Sequence, residues 1–256
     1  MQSILKRVPI IAGPALGGAL IASFGFSEGL RIGFAAAFLL ALFSIGILYR
    51  LYAEAPQSLH DETNLKGIWR EMDPHLKQLL AADCLIRWAE GIPKVFIVIY
   101  VIDILKASPV EFGWLTAVQM IASILAYIPV AKLSDRLNRK PFILLTFVLF
   151  ALFPLTLALS TNLMLLVLAF IVGGLREIGE PARKALIVDL AKASSRGRAI
   201  GMYYLIRGLV VFPASIVGGW LWAKNPSLPM TAAFAIGIAG CILYAIIGKD
   251  KRTAVQ

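Results

Sequence analysis

Residues 142–160 read FILLTFVLFALFPLTLALS and contain no charged side chain. A helix of about 20 mostly apolar residues spans the hydrocarbon core of a bilayer. Strands of membrane barrels instead alternate apolar and polar side chains over about ten residues. An isolated strand in lipid would also leave its backbone amides and carbonyls unpaired. This stretch therefore predicts a transmembrane helix.

The whole chain has the composition of a membrane protein. Of its 256 residues, 59% are hydrophobic and 16% are charged, and the mean hydropathy is +0.80. Soluble domains carry about 25% charged residues, and their interiors are too small to bury this much apolar surface. The composition excludes a cytosolic enzyme, a secreted disulfide scaffold and a disordered chain. Cys84 and Cys241 lie in apolar runs and predict neither a disulfide nor a metal site.

Apolar runs of helical length recur outward from 142–160 in both directions. They predict an all-α integral membrane protein with about eight transmembrane helices. The predicted spans are 8–25, 29–51, 79–105, 110–131, 142–160, 162–181, 200–223 and 228–248. The longest polar stretch, 52–78, predicts a cytoplasmic linker between the second and third spans. Within it, 64–72 alternatively forms a short surface helix.

Basic residues are distributed unevenly over the predicted loops. The net charge is +10, from 25 Lys and Arg against 15 Asp and Glu. Eighteen basic residues lie on the side that holds both termini, three lie on the other side and four lie within spans. The positive-inside rule assigns the basic side to the cytoplasm. The distribution predicts a multi-pass protein of the plasma membrane with both termini cytoplasmic, and it explains the charge without a nucleic-acid partner.

The loop before 142–160 carries the most specific motif of the chain. Residues 131–141 read AKLSDRLNRKP, which resembles the loop signature G-x-L-A-D-R-x-G-R-[RK] of the major facilitator superfamily (MFS). The positions that match are Leu133, Asp135, Arg136, Arg139 and Lys140. Ala131 and Asn138 replace the two glycines, and Asn tolerates the left-handed conformation better than most residues. The resemblance implies that this loop helps to hold one state of an alternating-access cycle.

Two further stretches support the resemblance. Residues 182–201, ARKALIVDLAKASSRGRAIG, are similar to another cytoplasmic loop of the family and add Asp189 and Arg198 to the conformational loop residues. GPALGG at 13–18 is similar to the end of the fifth-helix antiporter motif of the family. It supplies a helix-packing motif of small residues and a proline, which are Gly13, Pro14, Gly17 and Gly18.

The resemblance also implies a partial fold. Family members usually have twelve helices in two six-helix halves around a central cavity, and the predicted spans match helices five to twelve. The implied division is 1–51 for the last two helices of the N-terminal half, 52–78 for the central linker, 79–248 for the six-helix C-terminal bundle and 249–256 for a cytoplasmic tail. The first four helices are expected to be missing, so a partner or a second copy is expected to supply them if the chain is complete.

Charged residues also lie inside the predicted spans, where they are costly and often functional. Asp83, Arg87, Glu90 and Lys94 are spaced by four, three and four residues, so they fall within an arc of about 60° on one helix face. Glycine and proline residues interrupt the same helix, and interrupted helices often mark transport sites. The alternative is a neutral network of ion pairs with a structural role only.

The candidates for the substrate and proton pathway are Arg87, Glu90, Lys94 and Arg207. A carboxylate can carry a proton or bind a cation, and the basic side chains can bind an anion. Arg176 and Glu180, in GGLREIGEP at 173–181, have the spacing of an i, i+4 ion pair and are candidates for a gate. Snorkelling of the arginines to the membrane interface is the alternative.

These observations predict a secondary transporter of a small organic solute that works by alternating access. The chain has no P-loop motif, and the GPALGG match favours proton-coupled efflux. No cofactor, metal or enzymatic activity is expected. GFSEG at 25–29 has the spacing of a nucleophile elbow, which needs a strand-to-helix turn and a His partner. Here it joins two predicted apolar helices, so a tight turn is the favoured interpretation. The alternative is a truncated or degenerate membrane protein that does not transport and acts as a binding or regulatory partner.

Overall fold

The computed structural model describes residues 13, 16, 17, 19, 20, 23–51 and 65–248. The chain divides into two compact units, residues 1–63 and 64–256. The described residues form helices and turns and include no strand, which confirms the all-α fold. In the first unit, α1 (Phe26–Leu51) is an apolar helix whose side chains are mostly exposed. Residues 23 and 24 are also helical, and Gly25 has a φ of 78°, so GFSEG lies at a turn between helical residues and not at a strand-to-helix elbow.

The second unit is a bundle of helices. Its helices are α2 (Leu65–Glu71), α3 (Pro74–Lys94), α4 (Phe96–Ile99), α5 (Pro109–Arg136), α6 (Lys140–Ala158), α7 (Leu163–Leu175), α8 (Glu180–Leu190), α9 (Arg196–Val211), α10 (Ala214–Lys224) and α11 (Leu228–Ile247). A π-helical turn, Tyr100–Ile104, follows α4. The surface-helix alternative is the one observed in the linker, because α2 occupies most of 64–72.

Side-chain caps fix the starts of several of these helices. The Asp73 carboxylate accepts a hydrogen bond from the backbone amide of His75 at 2.7 Å, and Pro74 occupies the first position of α3. Ser108 and Glu111 form a capping box at the start of α5. Each cap satisfies amide groups that have no partner within the first turn of a helix. The caps move the start of α3 upstream of the predicted residue 79, into the predicted linker.

Several predicted boundaries are wrong because helices break within apolar runs. The predicted span 79–105 is divided at Val95, between α3 and α4. Pro93, two residues earlier, cannot donate a backbone hydrogen bond. In the predicted span 162–181, helix α7 ends at Leu175. Helix α8 begins at Glu180 and lies mostly between the predicted spans 162–181 and 200–223. The predicted loop 132–141 is only three residues long, since α5 continues to Arg136 and α6 begins at Lys140.

Five helical segments in the described residues are long and apolar enough to cross a membrane. They are Ser27–Leu51, Pro109–Ser134, Lys140–Ala158, Arg196–Lys224 and Leu228–Ile247. Each overlaps a predicted span. The predicted span 8–25 lies largely outside the described residues, as do Pro14 and Gly18. A Cβ built on Gly13 or Gly17 would meet no described atom within 4 Å, so the role of this motif in helix packing stays a prediction.

Helix α3 is held by close packing against its neighbours, and this packing positions its charged face. It contacts α6, α9, α10 and α11. A Cβ on Gly218 of α10 would collide with the carbonyl oxygen of Ile92 in α3, and a Cβ on Gly237 of α11 would lie 2.8 Å from the Cα of Ala151 in α6. Small residues let helix backbones approach closely in membranes. The glycines therefore set the distance between α3 and α10 and between α6 and α11.

A Gly218→Ala substitution is expected to destabilise the bundle by about 1–3 kcal/mol, the usual cost of overpacking. The added methyl group would push α10 away from the Ile92 carbonyl of α3. Gly219→Ala is the matched control, because a Cβ there would meet only the Phe96 ring, at 3.8 Å. Thermal unfolding in detergent, followed by helical circular dichroism, measures both variants. Equal midpoints for the two would contradict the close contact.

Candidate functional site

The four charged residues of the predicted stripe lie on α3, and three of them take part in a network that joins α3 to α8 and α9. Asp83 is completely buried, and the side chains of Arg87 and Glu90 are 17% and 21% exposed. Lys94, at the end of α3, is exposed. A helix that spans a membrane tolerates such charges when they pair with one another or face a cavity. The structure shows both arrangements.

Asp83 is the centre of the network. Its Oδ2 accepts a hydrogen bond from Arg183 Nη1 of α8, which is 2% exposed. The same oxygen accepts a hydrogen bond from the Tyr203 hydroxyl at 2.8 Å and lies 3.3 Å from Arg207 Nη1, both on α9. Its Oδ1 has no hydrogen-bond partner among the described residues and lies 3.6 Å from Arg87 Nε. One carboxylate thus connects three helices.

Arg87 and Glu180 form a second connection between α3 and α8. Arg87 Nη1 donates to Glu90 at 2.7 Å, and Arg87 Nη2 donates to Glu180 at 3.3 Å. Glu180 also accepts a hydrogen bond from Arg183 Nε at 2.8 Å. The Arg87 guanidinium packs over the Phe150 ring, 5.1 Å from its centroid. Arg87 therefore shares its donors between a carboxylate of its own helix and a carboxylate of α8.

The formal charges of this network cancel. Its buried and half-buried members are three acids and three bases, namely Asp83, Glu90, Glu180, Arg87, Arg183 and Arg207. The more exposed Lys184 lies 4.0 Å from Glu180 at the edge of the network. Membrane-insertion measurements put the free-energy cost of one charged side chain at the centre of a transmembrane helix at about 2.5–3.5 kcal/mol. Pairing offsets this cost only when the remaining donors and acceptors are also satisfied. The charge balance of the network therefore offsets part of this cost, while Asp83 Oδ1 and Arg87 Nε have no hydrogen-bond partner among the described residues.

The predicted ion pair between Arg176 and Glu180 is not formed. Helix α7 ends at Leu175, and turns cover the residues before α8 begins at Glu180, so the i, i+4 geometry of a continuous helix is absent. The Arg176 guanidinium instead packs over the rings of Phe150 and Phe153, at 5.2 and 4.9 Å from their centroids. Its buried Nε has no hydrogen-bond partner in the described part of the chain.

A cleft of about 490 Å³ opens beside the network, between α3 and the α9–α10 pair. All four residues predicted for the substrate and proton pathway line it, namely Arg87, Glu90, Lys94 and Arg207. Its other lining residues are small or apolar, namely Gly91, Gly208, Val211, Phe212 and Ser215. Small-molecule sites commonly measure about 300–1,000 Å³ and combine apolar walls with a few convergent polar groups. The cleft has both properties.

Both walls of the cleft are interrupted helices, and two side-chain hydrogen bonds connect them near the interruptions. Trp88 Nε1 donates to the Val210 carbonyl at 2.8 Å, and the Ser215 hydroxyl donates to the Gly91 carbonyl at 3.3 Å. These carbonyls lie near Pro93 of α3 and near Pro213, between α9 and α10, where helical backbone hydrogen bonding is disturbed. The hydrogen bonds connect α3 to the other wall of the cleft.

The residues predicted for the conformational loop lie around the start of α6 and on the neighbouring helices α5, α8 and α9. Arg139 Nη1 donates to Asp189 of α8, and Lys140 Nζ donates to the Ala245 carbonyl in the last turn of α11 at 2.9 Å. Arg198 is exposed and makes no ion pair with a described residue. Asp135 and Arg136 lie in the last turn of α5, but their side chains are outside the described part of the structure. The loop thus joins α6 to α8 and α11.

Sequence reasoning missed Arg183 and Tyr203. Arg183 was counted among the basic residues of a cytoplasmic loop, whereas it is buried against Asp83. Its spacing of three residues from Glu180 was a usable signal, because i, i+3 residues share a helix face. Tyr203 carried no such signal, since its partner on α3 is 120 residues away in the chain.

Residues 79–254 match the family model of the Major Facilitator Superfamily. A multidrug resistance protein, MdtH, of Salmonella newport is 31% identical over 160 residues, which are 58% of this chain and 39% of the relative. An uncharacterized MFS-type transporter of Methanocaldococcus jannaschii is 27% identical over 121 residues, which are 47% of this chain and 30% of the relative. The alignments thus span well under half the length of these curated relatives.

The fold is similar to that of solved transporter structures. One of them is the crystal structure of a bacterial homolog of the human lysosomal transporter Spinster, in an inward-facing and unoccupied conformation. It aligns with a TM-score of 0.52 and 22% sequence identity, over 68% of this chain and 42% of that one. At this level of identity the likeness shows the fold alone.

Proposed function

Because this chain belongs to the major facilitator superfamily, we propose that it carries a small organic solute across the membrane by alternating access. The chain is a multi-pass membrane protein. Its transport activity is proposed to be proton-coupled and outward, as the GPALGG motif and the name of the MdtH relative suggest. The proposed location is the plasma membrane, with both termini in the cytoplasm as the basic loops indicate.

The observation that carries the proposal is the cleft lined by Arg87, Glu90, Lys94 and Arg207. A structural ion-pair network needs no open space beside it, and burial without a cleft would satisfy the same charges. Here the charges lie at the edge of a space large enough for a small organic molecule, on two interrupted helices. Sites formed on interrupted helices are typical of secondary transporters.

Glu90 is the proposed proton carrier. It is the one carboxylate among the described lining residues of the cleft, and its ion pair with Arg87 links its protonation state to the contact between α3 and α8. Loss of the charge on Glu90 would leave Arg87 with Glu180 and Asp83 as its remaining acidic partners. Proton uptake in the cleft would then change the forces between two helices, as coupling requires.

The loop contacts are the proposed gate. The Arg139–Asp189 ion pair and the hydrogen bond from Lys140 to Ala245 connect the loop between α5 and α6 to two other helices. Contacts of this kind bias a conformational equilibrium only if one state makes them and the other does not. They are therefore proposed to stabilise one state of the cycle.

Flux measurements in proteoliposomes, with the cytoplasmic side of the protein facing outward, test this function. The purified protein is reconstituted, the lumen is made acidic and a panel of organic solutes of different charge is added outside. Proton-coupled efflux is expected to appear as solute accumulation together with a rise in luminal pH, and a protonophore should abolish both. If the folded protein moves no solute of the panel in either direction, the proposed function is wrong.

A further inference from the structure

We propose that the cleft between α3 and the α9–α10 pair binds an organic anion, with Lys94 as the principal cation for its charged group. This assignment names the substrate class of the site and rests on the proposed transport function. It follows from the charge balance of the cleft, from the position of Lys94 and from the apolar surface opposite.

The charge balance of the cleft favours an anion. Three of its lining residues are cations and one is a carboxylate. Glu90 is already engaged by Arg87 at 2.7 Å, so it offers little to a cationic solute. Lys94 lies outside the ion-pair network around Asp83 and within electrostatic range of Glu90. It adds to the positive formal charge of the cleft lining.

Lys94 is available for a ligand. No carboxylate oxygen of the described residues lies within 4.0 Å of its amine, and its side chain is exposed at the end of α3. The other two cations of the cleft are already paired, Arg87 with Glu90 and Arg207 with Asp83. Charge-assisted hydrogen bonds are roughly twice as strong as neutral ones, and an ammonium group has three donors for an anionic head group.

The remaining lining residues accept the body of the ligand. Val211 and Phe212 form an apolar wall, and the Phe212 side chain is 76% exposed. Gly208 leaves space on its helix face, because a Cβ there would meet no described atom within 4 Å. The occupant that fits is an amphiphilic organic anion, with its charged group near Lys94 and its apolar part along Val211 and Phe212.

Binding of 1-naphthalenesulfonate in lipid nanodiscs, followed by naphthalene fluorescence anisotropy, tests the assignment. The matched probes are the neutral 1-naphthalenesulfonamide and the permanent cation 1-naphthyltrimethylammonium. The sulfonate is expected to bind most tightly. Lys94→Gln should weaken its binding about tenfold or more, the usual effect of a lost hydrogen bond to a charged group, whereas Lys94→Arg should retain it.

Lys224→Gln is the control, because the Lys224 amine packs over the Trp220 ring outside the cleft. Equal binding of the sulfonamide, tighter binding of the cation, or sulfonate binding that Lys94→Gln leaves unchanged would each overturn the assignment. The measurement does not depend on transport. Sulfonate binding without flux would contradict the proposed function and leave the anion site intact. Flux of the cation alone would support the proposed function and contradict the anion site.

Discussion

Asp83→Asn is expected to destabilise the protein by about 3–5 kcal/mol, the cost of removing one partner of a buried ion pair. The Asp83 side chain is fully buried and accepts from Arg183 and Tyr203, with Arg207 at 3.3 Å. An amide oxygen in its place can still accept from the tyrosine. It cannot neutralise the arginines, which would be left in excess over the remaining carboxylates of the network.

Unfolding in detergent, followed by helical circular dichroism, measures this effect. Asp103→Asn is the matched control, because Asp103 is exposed on the π-helical turn and makes no ion pair with a described residue. Equal stability of the two variants would contradict the role of Asp83 as the centre of the network. A double variant, Asp83→Asn with Arg183→Met, should recover part of the loss, since it removes a base together with the acid.

The partners of Asp83 also show what the sequence could predict and what it could not. The spacing of Asp83, Arg87, Glu90 and Lys94 was enough to place them on one helix face, because helical periodicity is a local property. All four pathway candidates do line one cleft. The partners on other helices depend on the depth and rotation of each helix in the bundle. No local pattern encodes the contact between Asp83 and Tyr203.

The errors in the predicted helices have a similar cause. Hydropathy identified the apolar runs, and each of the five candidate membrane spans overlaps a predicted one. Hydropathy is insensitive to a break inside a run, so 162–181 was predicted as one helix although α7 ends at Leu175. That break separates Arg176 from Glu180 and directs one to aromatic rings and the other to Arg87. Pro93 and Pro181 were the visible signs that these runs are interrupted.

Glu90→Gln is expected to reduce proton-driven flux at least about tenfold, which corresponds to about 1.4 kcal/mol. The amide has almost the same shape as the carboxylate and can still accept a hydrogen bond from Arg87, but it cannot take up a proton. The Arg87 side chain keeps two further acidic partners, Asp83 and Glu180, so the bundle should remain folded. The variant should also bind 1-naphthalenesulfonate at least as tightly, because the described lining of the cleft has then lost its one carboxylate.

A loss of flux has two possible causes, and counterflow separates them. Exchange of labelled against unlabelled solute across the membrane requires the carrier to change conformation but requires no net proton movement. If Glu90 carries the proton, Glu90→Gln retains counterflow while proton-driven accumulation is lost, and Glu90→Asp restores some accumulation. Glu71→Gln, at an exposed position on α2, should leave both activities unchanged.

If Glu90→Gln accumulates solute as the unmodified protein does, the proton is carried elsewhere. If the variant loses counterflow and thermal stability together, the ion pair with Arg87 is structural, and the carboxylate does not couple transport to protons.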